Sequence, residues 1–425
     1  MTRNLLPVLA LLAGTLFLFL GNGLHGLLLP MRGANEGYST TVLGLLGTSW
    51  ATGFVLGCLF APLVVRRVGH VRAFSGFIAL LAINALLTGI FVNDIGWVAL
   101  RAITGFSTAG CSMIIESWLN ERATNKTRGM IFSLYITITL VGSVGGQLTV
   151  ALGDVMTATL FMVCGVFYCV GMLPTTLSTA ATPQPLQTVK LDLPALFRNS
   201  PVSFVGILLI GLANGAFGTL GAVFGAAAGF DQSTVAIMMS VAIFAGALMQ
   251  FPAGRMSDRM DRRYVLAGLS AVAALSGLLF FVLTPFDVTW LFVLVAIYGA
   301  AANALYPIAV AHANDFAAPE DFVKVSGGLL LLYGFGTIIG PTVGGPVMSA
   351  FGPYALFTVT ALAHLLITAY AILRSRKRAP VPTSDRDAFI TTGPLTTPES
   401  LTLSPRAAPL PEGDSPEEQY PGAAI

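Results

Sequence analysis

The chain has 425 residues, of which 55% are hydrophobic and only 10% charged, against about a quarter charged in an ordinary soluble domain. Mean hydropathy is +0.79. That composition excludes an ordinary water-soluble domain in favour of a bilayer protein, and a formal charge of +2 offers no basic field for nucleic acid.

Apolar stretches long enough to cross a hydrocarbon core of about 30 Å occur at 5–29, 39–65, 73–92, 96–119, 129–152 and 157–177. The first is too long for the core of a signal peptide and is followed by no cleavage-like sequence, so it is expected to stay as a span. A polar, Pro-containing linker follows at 178–200, then six more stretches at 201–225, 233–254, 264–284, 288–312, 325–350 and 354–373. The expectation is an all-α polytopic membrane protein of twelve transmembrane helices in a 6+6 arrangement. Its domains are an N-terminal bundle at 1–177, the linker at 178–200, a C-terminal bundle at 201–373 and a tail at 374–425. The tail, rich in Pro, Ser and Thr, is expected to be disordered.

Basic residues set the orientation. Arg66, Arg67, Arg72, Arg122, Lys126, Arg128, Arg255, Arg259, Arg262, Arg263, Lys324 and the Arg374–Arg378 cluster all fall on one side, with the linker and both termini. The other side keeps Arg32 beside Glu36, Asp94, Asp154, Asp231 and Asp287. The side with the termini is therefore expected to be cytoplasmic, in an inner membrane. Asn125-Lys126-Thr127 spells a glycosylation sequon on that same side and is read as chance. Cys58, Cys111, Cys164 and Cys169 lie in apolar runs without ligand spacing, so no metal is expected.

Within the first span, GNGLHG (Gly21–Gly26) matches GxGxxG, a phosphate-cradling pattern that needs a preceding strand. An unbroken apolar run supplies no strand, and the motif has an echo. LGNGLHG at 20–26 returns as LANGAFG at 212–218, mapping Asn22 onto Asn214. Further on, Gly129 aligns with Gly327, Tyr135 with Tyr333, Gly142 with Gly340 and Gly146 with Gly344. The two halves read as copies, and the glycines as points where helices approach closely.

On these features the chain resembles the major facilitator superfamily over essentially all of its length before the tail. The family's GxxxDRxGRR loop is better kept in the second half, through Gly254, Asp258, Arg259, Arg262 and Arg263, with Asp261 in place of the second glycine. The first-half copy has Arg66 at the acidic position, followed by Arg67 and Gly69. The family's GxxxGPxxGG signature is incomplete on the fifth span and intact on the eleventh, as Gly336, Gly340, Pro341, Gly344 and Gly345. There it is read as a packing motif. The fourth span, with Arg101, Gly105 and the ESWLNE end, is similar to the YcaD-like branch of the family.

The resemblance implies a central cavity lined by spans one, four, seven and ten, with polar side chains at that depth as candidates for function. Substrate-binding candidates are Asn22, His25, Arg101, Asn214, Asn303 and Tyr306. Proton-coupling or gating candidates are Glu116, His25 and Asp315. Glu116 lies about 22 Å along its helix from Arg101 and is expected to meet Arg66, Arg67 or Arg128 instead. Asp315 reads as a group that solvent covers.

The expected function is secondary active transport of a small anionic or amphipathic solute by alternating access, proton-coupled, with export ahead of uptake. A partner-binding receptor without transport and an uncoupled facilitator are the alternatives. Expected partners are the solute, protons and the bilayer; no nucleic acid, cofactor, metal or enzymatic activity is expected, and the chain is expected to be a monomer. No Walker sequence is present.

Overall fold

A computed structural model of the chain describes residues 2–124, 127–176, 192–284, 287–318, 321–382, 386, 389 and 397. Segment 178–191 of the expected linker, Asn125 and Lys126 of the sequon, and most of the tail lie outside the described residues.

Among the described residues, twelve helices are long and apolar enough to cross a membrane. The first half holds α1 (Thr2–Asn35), α2 (Thr40–Val68), α3 (His70–Ile90), α4 (Asp94–Glu121), α5 (Arg128–Thr149) and α6 (Thr159–Thr176). A short α7 (Leu193–Asn199) precedes the second half. That half holds α8 (Pro201–Ala227), α9 (Gln232–Arg259), α10 (Arg262–Leu283), α11 (Val288–Asn314), α12 (Phe322–Phe351) and α13 (Ala355–Ser375). Each expected span is a helix within a few residues of its expected ends. The unforeseen element is α7, whose start is fixed by the Asp192 carboxylate accepting from the Ala195 N–H at 2.9 Å.

Helices satisfy every interior backbone group without solvent, which is why apolar runs of this length fold so. Their outward faces remain apolar: Leu56, Leu59, Phe60 and Leu63 on α2, and Leu362, Leu365 and Leu366 on α13, are all exposed. Spaced three and four residues apart, they form stripes suited to lipid rather than water.

The halves repeat one packing scheme. In the first, α1 packs on α5 and α6, α2 on α4, and α3 on α6. In the second, α8 packs on α12 and α13, α9 on α11, and α10 on α13. Glycines set the closest approaches. A Cβ on Gly23 would run into the Ser143 carbonyl of α5, and one on Gly215 into the Thr337 backbone of α12. The duplicated Asn-Gly therefore marks the same crossing in both halves, and GNGLHG is continuous helix rather than a phosphate turn.

The halves meet through α2 with α12, α5 with α9, and α1 with α8. An even number of spans puts both ends of the helical array on one face. The opposite face is sealed. There Thr40 Oγ1 donates to the Gly345 carbonyl at 2.8 Å, Thr48 and Thr342 share a hydrogen bond of 2.8 Å, and the Gln232 amide donates to the Val150 and Gly153 carbonyls.

Candidate functional site

A cavity of about 360 Å³ lies between the halves, walled by α1, α2, α4, α5, α6, α8, α9, α11 and α12. Its lining reaches from Pro30 near the sealed face to Gly327, in the first turns of α12 on the termini side. Five of the six expected substrate contacts line it: Asn22, His25, Arg101, Asn214 and Asn303. No Asp or Glu among the described residues does.

Arg101 carries the electrostatics of this space. It is 8% exposed, its Nε–H donates to no acceptor among the described residues, and its guanidinium lies 6.0 Å from the centre of the Trp50 ring. A guanidinium at that depth needs a counter-charge or several acceptors, and a single cation–π contact at this distance supplies little. His25 is within electrostatic reach of Arg101, and neither ring nitrogen has a partner among the described residues. Its ring stands edge-on to Phe161 at 6.2 Å.

The asparagines divide. Asn22 Oδ1 accepts from Tyr168 at 3.0 Å and from Thr108 at 3.3 Å, while its Nδ2 has no partner among the described residues. Asn303 donates to the Ala242 and Gly299 carbonyls, both at 3.1 Å, and so ties α11 to α9 as well as facing the cavity. Tyr306 corrects the expectation. It does not line the cavity, because one turn beyond Asn303 its ring turns into the second-half core and packs edge-on against Tyr333 at 5.1 Å.

Glu116 is fully buried near the termini-side end of α4. Tyr135 Oη donates to it at 2.6 Å. Thr397 of the tail donates its N–H at 3.2 Å and its hydroxyl to the same carboxylate. Arg66 and Arg67, two of the expected partners, are exposed and form no ion pair among the described residues.

Asp315 also departs from expectation. Instead of lying in solvent it is buried, accepting from Arg262 Nε at 2.7 Å, with side-chain exposures of 1% for Arg262 and 3% for Asp315. Arg262 further donates to Ser257 at 2.8 Å and to the exposed carboxylate of Asp258 at 3.4 Å, so the loop motif of the second half joins α9, α10 and the end of α11 through one buried guanidinium. Beside it Arg263 contacts Asp261 at 2.7 Å. Burial pushes the Asp261 carboxyl up, but its bonds with Arg263 outweigh this and hold it below its ordinary range. Arg259 is exposed. In the first-half copy Gly69 has φ of +85° at the α2–α3 turn, a conformation glycine adopts without steric cost.

The eleventh-span motif divides its work. Gly336 and Gly340 abut the α8 backbone and Gly344 abuts Leu220, while the Pro341 carbonyl and Gly345 abut Gly44 and Thr40 of α2 in the other half. It is at once an intra-half crossing and part of the seal.

Several residues that sequence reasoning did not propose shape the site. Tyr168 and Thr108 orient Asn22, Tyr135 holds Glu116, and Trp50, Gln147, Gln250 and Tyr298 line the cavity. A signal for two of the tyrosines existed: Tyr135 and Tyr333 align between the halves, and both line the cavity.

Residues 11–284 and 203–410 match the family model described as Major Facilitator Superfamily. The chain belongs to that family. This superfamily member is 27% identical over 379 residues to the uncharacterized MFS-type transporter YcaD of Shigella flexneri, covering 88% of this chain and 97% of that protein. The same figures hold for YcaD of Escherichia coli O139:H28. Among solved structures, the nucleoside transporter NupG has a TM-score of 0.69 at 18% identity, covering 87% of this chain and 98% of its own. A bacterial homolog of the human lysosomal transporter Spinster, inward-facing and occupied, gives a TM-score of 0.70 at 18% identity, covering 89% and 97%. Such likenesses establish the fold. Together with the family they make this a multi-pass membrane transporter of a small-molecule solute, not an enzyme.

Proposed function

We propose that the protein is a proton-coupled secondary transporter of a small anionic or amphipathic solute, working as a monomer by alternating access in the inner membrane with both termini cytoplasmic. Arg101 carries the reading. A buried guanidinium faces a cavity whose described lining holds no carboxylate, and an anionic group on the solute supplies the missing counter-charge. Asn22 Nδ2 and the His25 ring offer further polar contacts from α1, and Asn214 faces them from the second half. Trp50 and Phe54, stacked at 5.2 Å, give an amphipathic solute an apolar wall.

Coupling is assigned to His25 and Glu116, the former on the cavity wall and the latter behind Tyr135. Asp315 serves gating, as part of the ion-pair cluster that ties α9, α10 and α11 together. Export is the favoured direction, on the Gly340-Pro341 motif that crosses between the halves at the seal.

The test is flux in proteoliposomes, with a panel of labelled small carboxylates under an imposed pH gradient. Gradient-driven flux that falls in Glu116→Gln and His25→Ala is expected. Flux indifferent to the gradient, or unchanged by both substitutions, contradicts the coupling.

A further inference from the structure

The two glycines of the duplicated Asn-Gly-x-x-Gly do different work. Gly23 and Gly215 stand at helix crossings, where a Cβ would strike the backbone of Ser143 and Thr337. Gly26 and Gly218, which map onto each other in the register that maps Asn22 onto Asn214, are open: a Cβ on either meets nothing within 4 Å. Both line the cavity, Gly26 from α1 and Gly218 from α8, helices that pack on each other across the halves. Packing therefore explains the first glycine of each copy and not the second. Another pair in the same register, Gly76 of α3 and Gly268 of α10, is equally open and exposed but lines no part of the cavity.

Around this clearance the wall carries one cation and much apolar surface. Arg101 is the only Lys or Arg among the described lining residues. Its buried Nε–H and both buried nitrogens of His25 are without a partner among the described residues, which points to a ligand. The Arg101 guanidinium lies 6.0 Å from the centre of the Trp50 ring, and Trp50 stacks on Phe54 at 5.2 Å with 24° between their planes. A flat aromatic wall thus adjoins the cation. On the side of the second half, Phe217, Met239, Ile243 and Leu330 line the space. At about 360 Å³ the cavity is at the small end of the range for ligand sites. One anionic group on one flat apolar body is what these walls accept.

We propose that Gly26 and Gly218 are specificity-determining positions, which keep a slot open for the flat apolar body of an aromatic monocarboxylate whose carboxylate rests on Arg101. The proposal rests on the reading of Arg101 as the receiver of the solute's anionic group and adds to it the class of solute. Because the two glycines hold equivalent positions in opposite halves, a solute in this slot touches both bundles, as alternating access around a shared site requires. A dicarboxylate would bring a second charge to a wall without a second cation, which is costly.

Equilibrium binding of labelled benzoate, 2-naphthoate and succinate to the full chain in proteoliposomes, with protein-free liposomes as background, tests this. The parent should bind 2-naphthoate more tightly than benzoate, and succinate more weakly than either. Gly26→Ala and Gly218→Ala should each lower the ratio of 2-naphthoate to benzoate affinity by about tenfold, the effect of one misplaced methyl in a fitted pocket. Gly76→Ala and Gly268→Ala make the same gain in helix propensity away from the cavity, and should keep the ratio within about twofold of the parent. A ratio within about twofold of the parent in either Gly26→Ala or Gly218→Ala overturns the proposal, as does an equal fall in the Gly76 and Gly268 variants. So does a parent that binds succinate as tightly as benzoate, or 2-naphthoate no more tightly than benzoate. Those results leave the reading of Arg101 in place wherever Arg101→Ala loses benzoate. A parent that binds none of these acids, or benzoate binding unchanged in Arg101→Ala, overturns both.

Discussion

The Tyr135 hydroxyl lies 2.6 Å from a carboxylate oxygen of Glu116, and the side chain of Tyr135 forms part of the cavity wall while Glu116 stands behind it. One phenol therefore separates the solute space from the buried carboxyl of α4. If proton movement is coupled to solute movement through Glu116, this bond is on the route. Tyr135→Phe should lower pH-gradient-driven flux by about tenfold, the cost of one hydrogen bond to a charged acceptor, while solute counterflow without a gradient stays within about twofold. Equal losses in both assays would place Tyr135 in solute binding instead.

The Arg262–Asp315 pair makes a stability prediction. Both side chains are at most 3% exposed, so removal of one partner strands a buried charge. Asp315→Ala should destabilise the second half by about 3 kcal/mol, seen as a lower melting temperature in detergent. Lys324→Ala, which breaks an exposed pair with Asp321, should change it by less than about 1 kcal/mol. Similar melting temperatures for the two variants would remove Arg262–Asp315 from the framework.

Glycine positions in α1 separate packing from function. Gly23 has no room for a Cβ beside the Ser143 carbonyl, whereas a Cβ at Gly26 meets nothing within 4 Å and points into the cavity lining. Gly23→Val should prevent a monodisperse protein from being recovered. Gly26→Val should be recovered at parental yield but with solute transport reduced by about tenfold or more, measured on the same preparations. Normal folding of Gly23→Val would contradict the close crossing of α1 and α5.

At the start of α9, Asp231 accepts from the Thr234 hydroxyl at 2.6 Å and from the Ser233 and Thr234 N–H groups at 2.9 and 3.0 Å. These bonds, that from the Thr234 hydroxyl foremost, hold its carboxyl below the ordinary value of 3.8. A depressed value means the cap contributes fully above that ordinary value and loses its contribution as pH falls through the lowered one. Asp231→Ala should therefore melt earlier at pH 7, by the equivalent of about 1 kcal/mol, with the difference from the parent shrinking below pH 4. A difference that persists unchanged at low pH would contradict the capping role.

Much of this architecture was legible because its determinants are local. Twenty-residue apolar runs have one way to satisfy their backbone in lipid, so the twelve spans could be read from hydropathy alone. The duplicated Asn-Gly and the Tyr135/Tyr333 alignment carry the two-fold design in the sequence itself. What stayed hidden depends on long-range placement. Tyr306 is spaced correctly to share a face with Asn303, yet the neighbouring Tyr333 ring draws it into the core. Asp315 sits at a helix end, where solvent is the default expectation, and its burial follows from Arg262, 53 residues away in the chain. Thr397 is 281 residues from Glu116, and a Pro- and Thr-rich tail carries no periodic signal of where it docks.

The central claim is that Arg101 receives an anionic group of the solute in the cavity between the halves. Uptake of labelled small carboxylates into proteoliposomes, compared between the parent and Arg101→Ala, tests it most directly. The account predicts that the parent moves at least one carboxylate and that Arg101→Ala loses that flux by about a hundredfold, the effect of removing a buried charge-assisted contact. A parent that moves only neutral or cationic solutes, or an Arg101→Ala protein that transports the carboxylate at the parental rate, would contradict it.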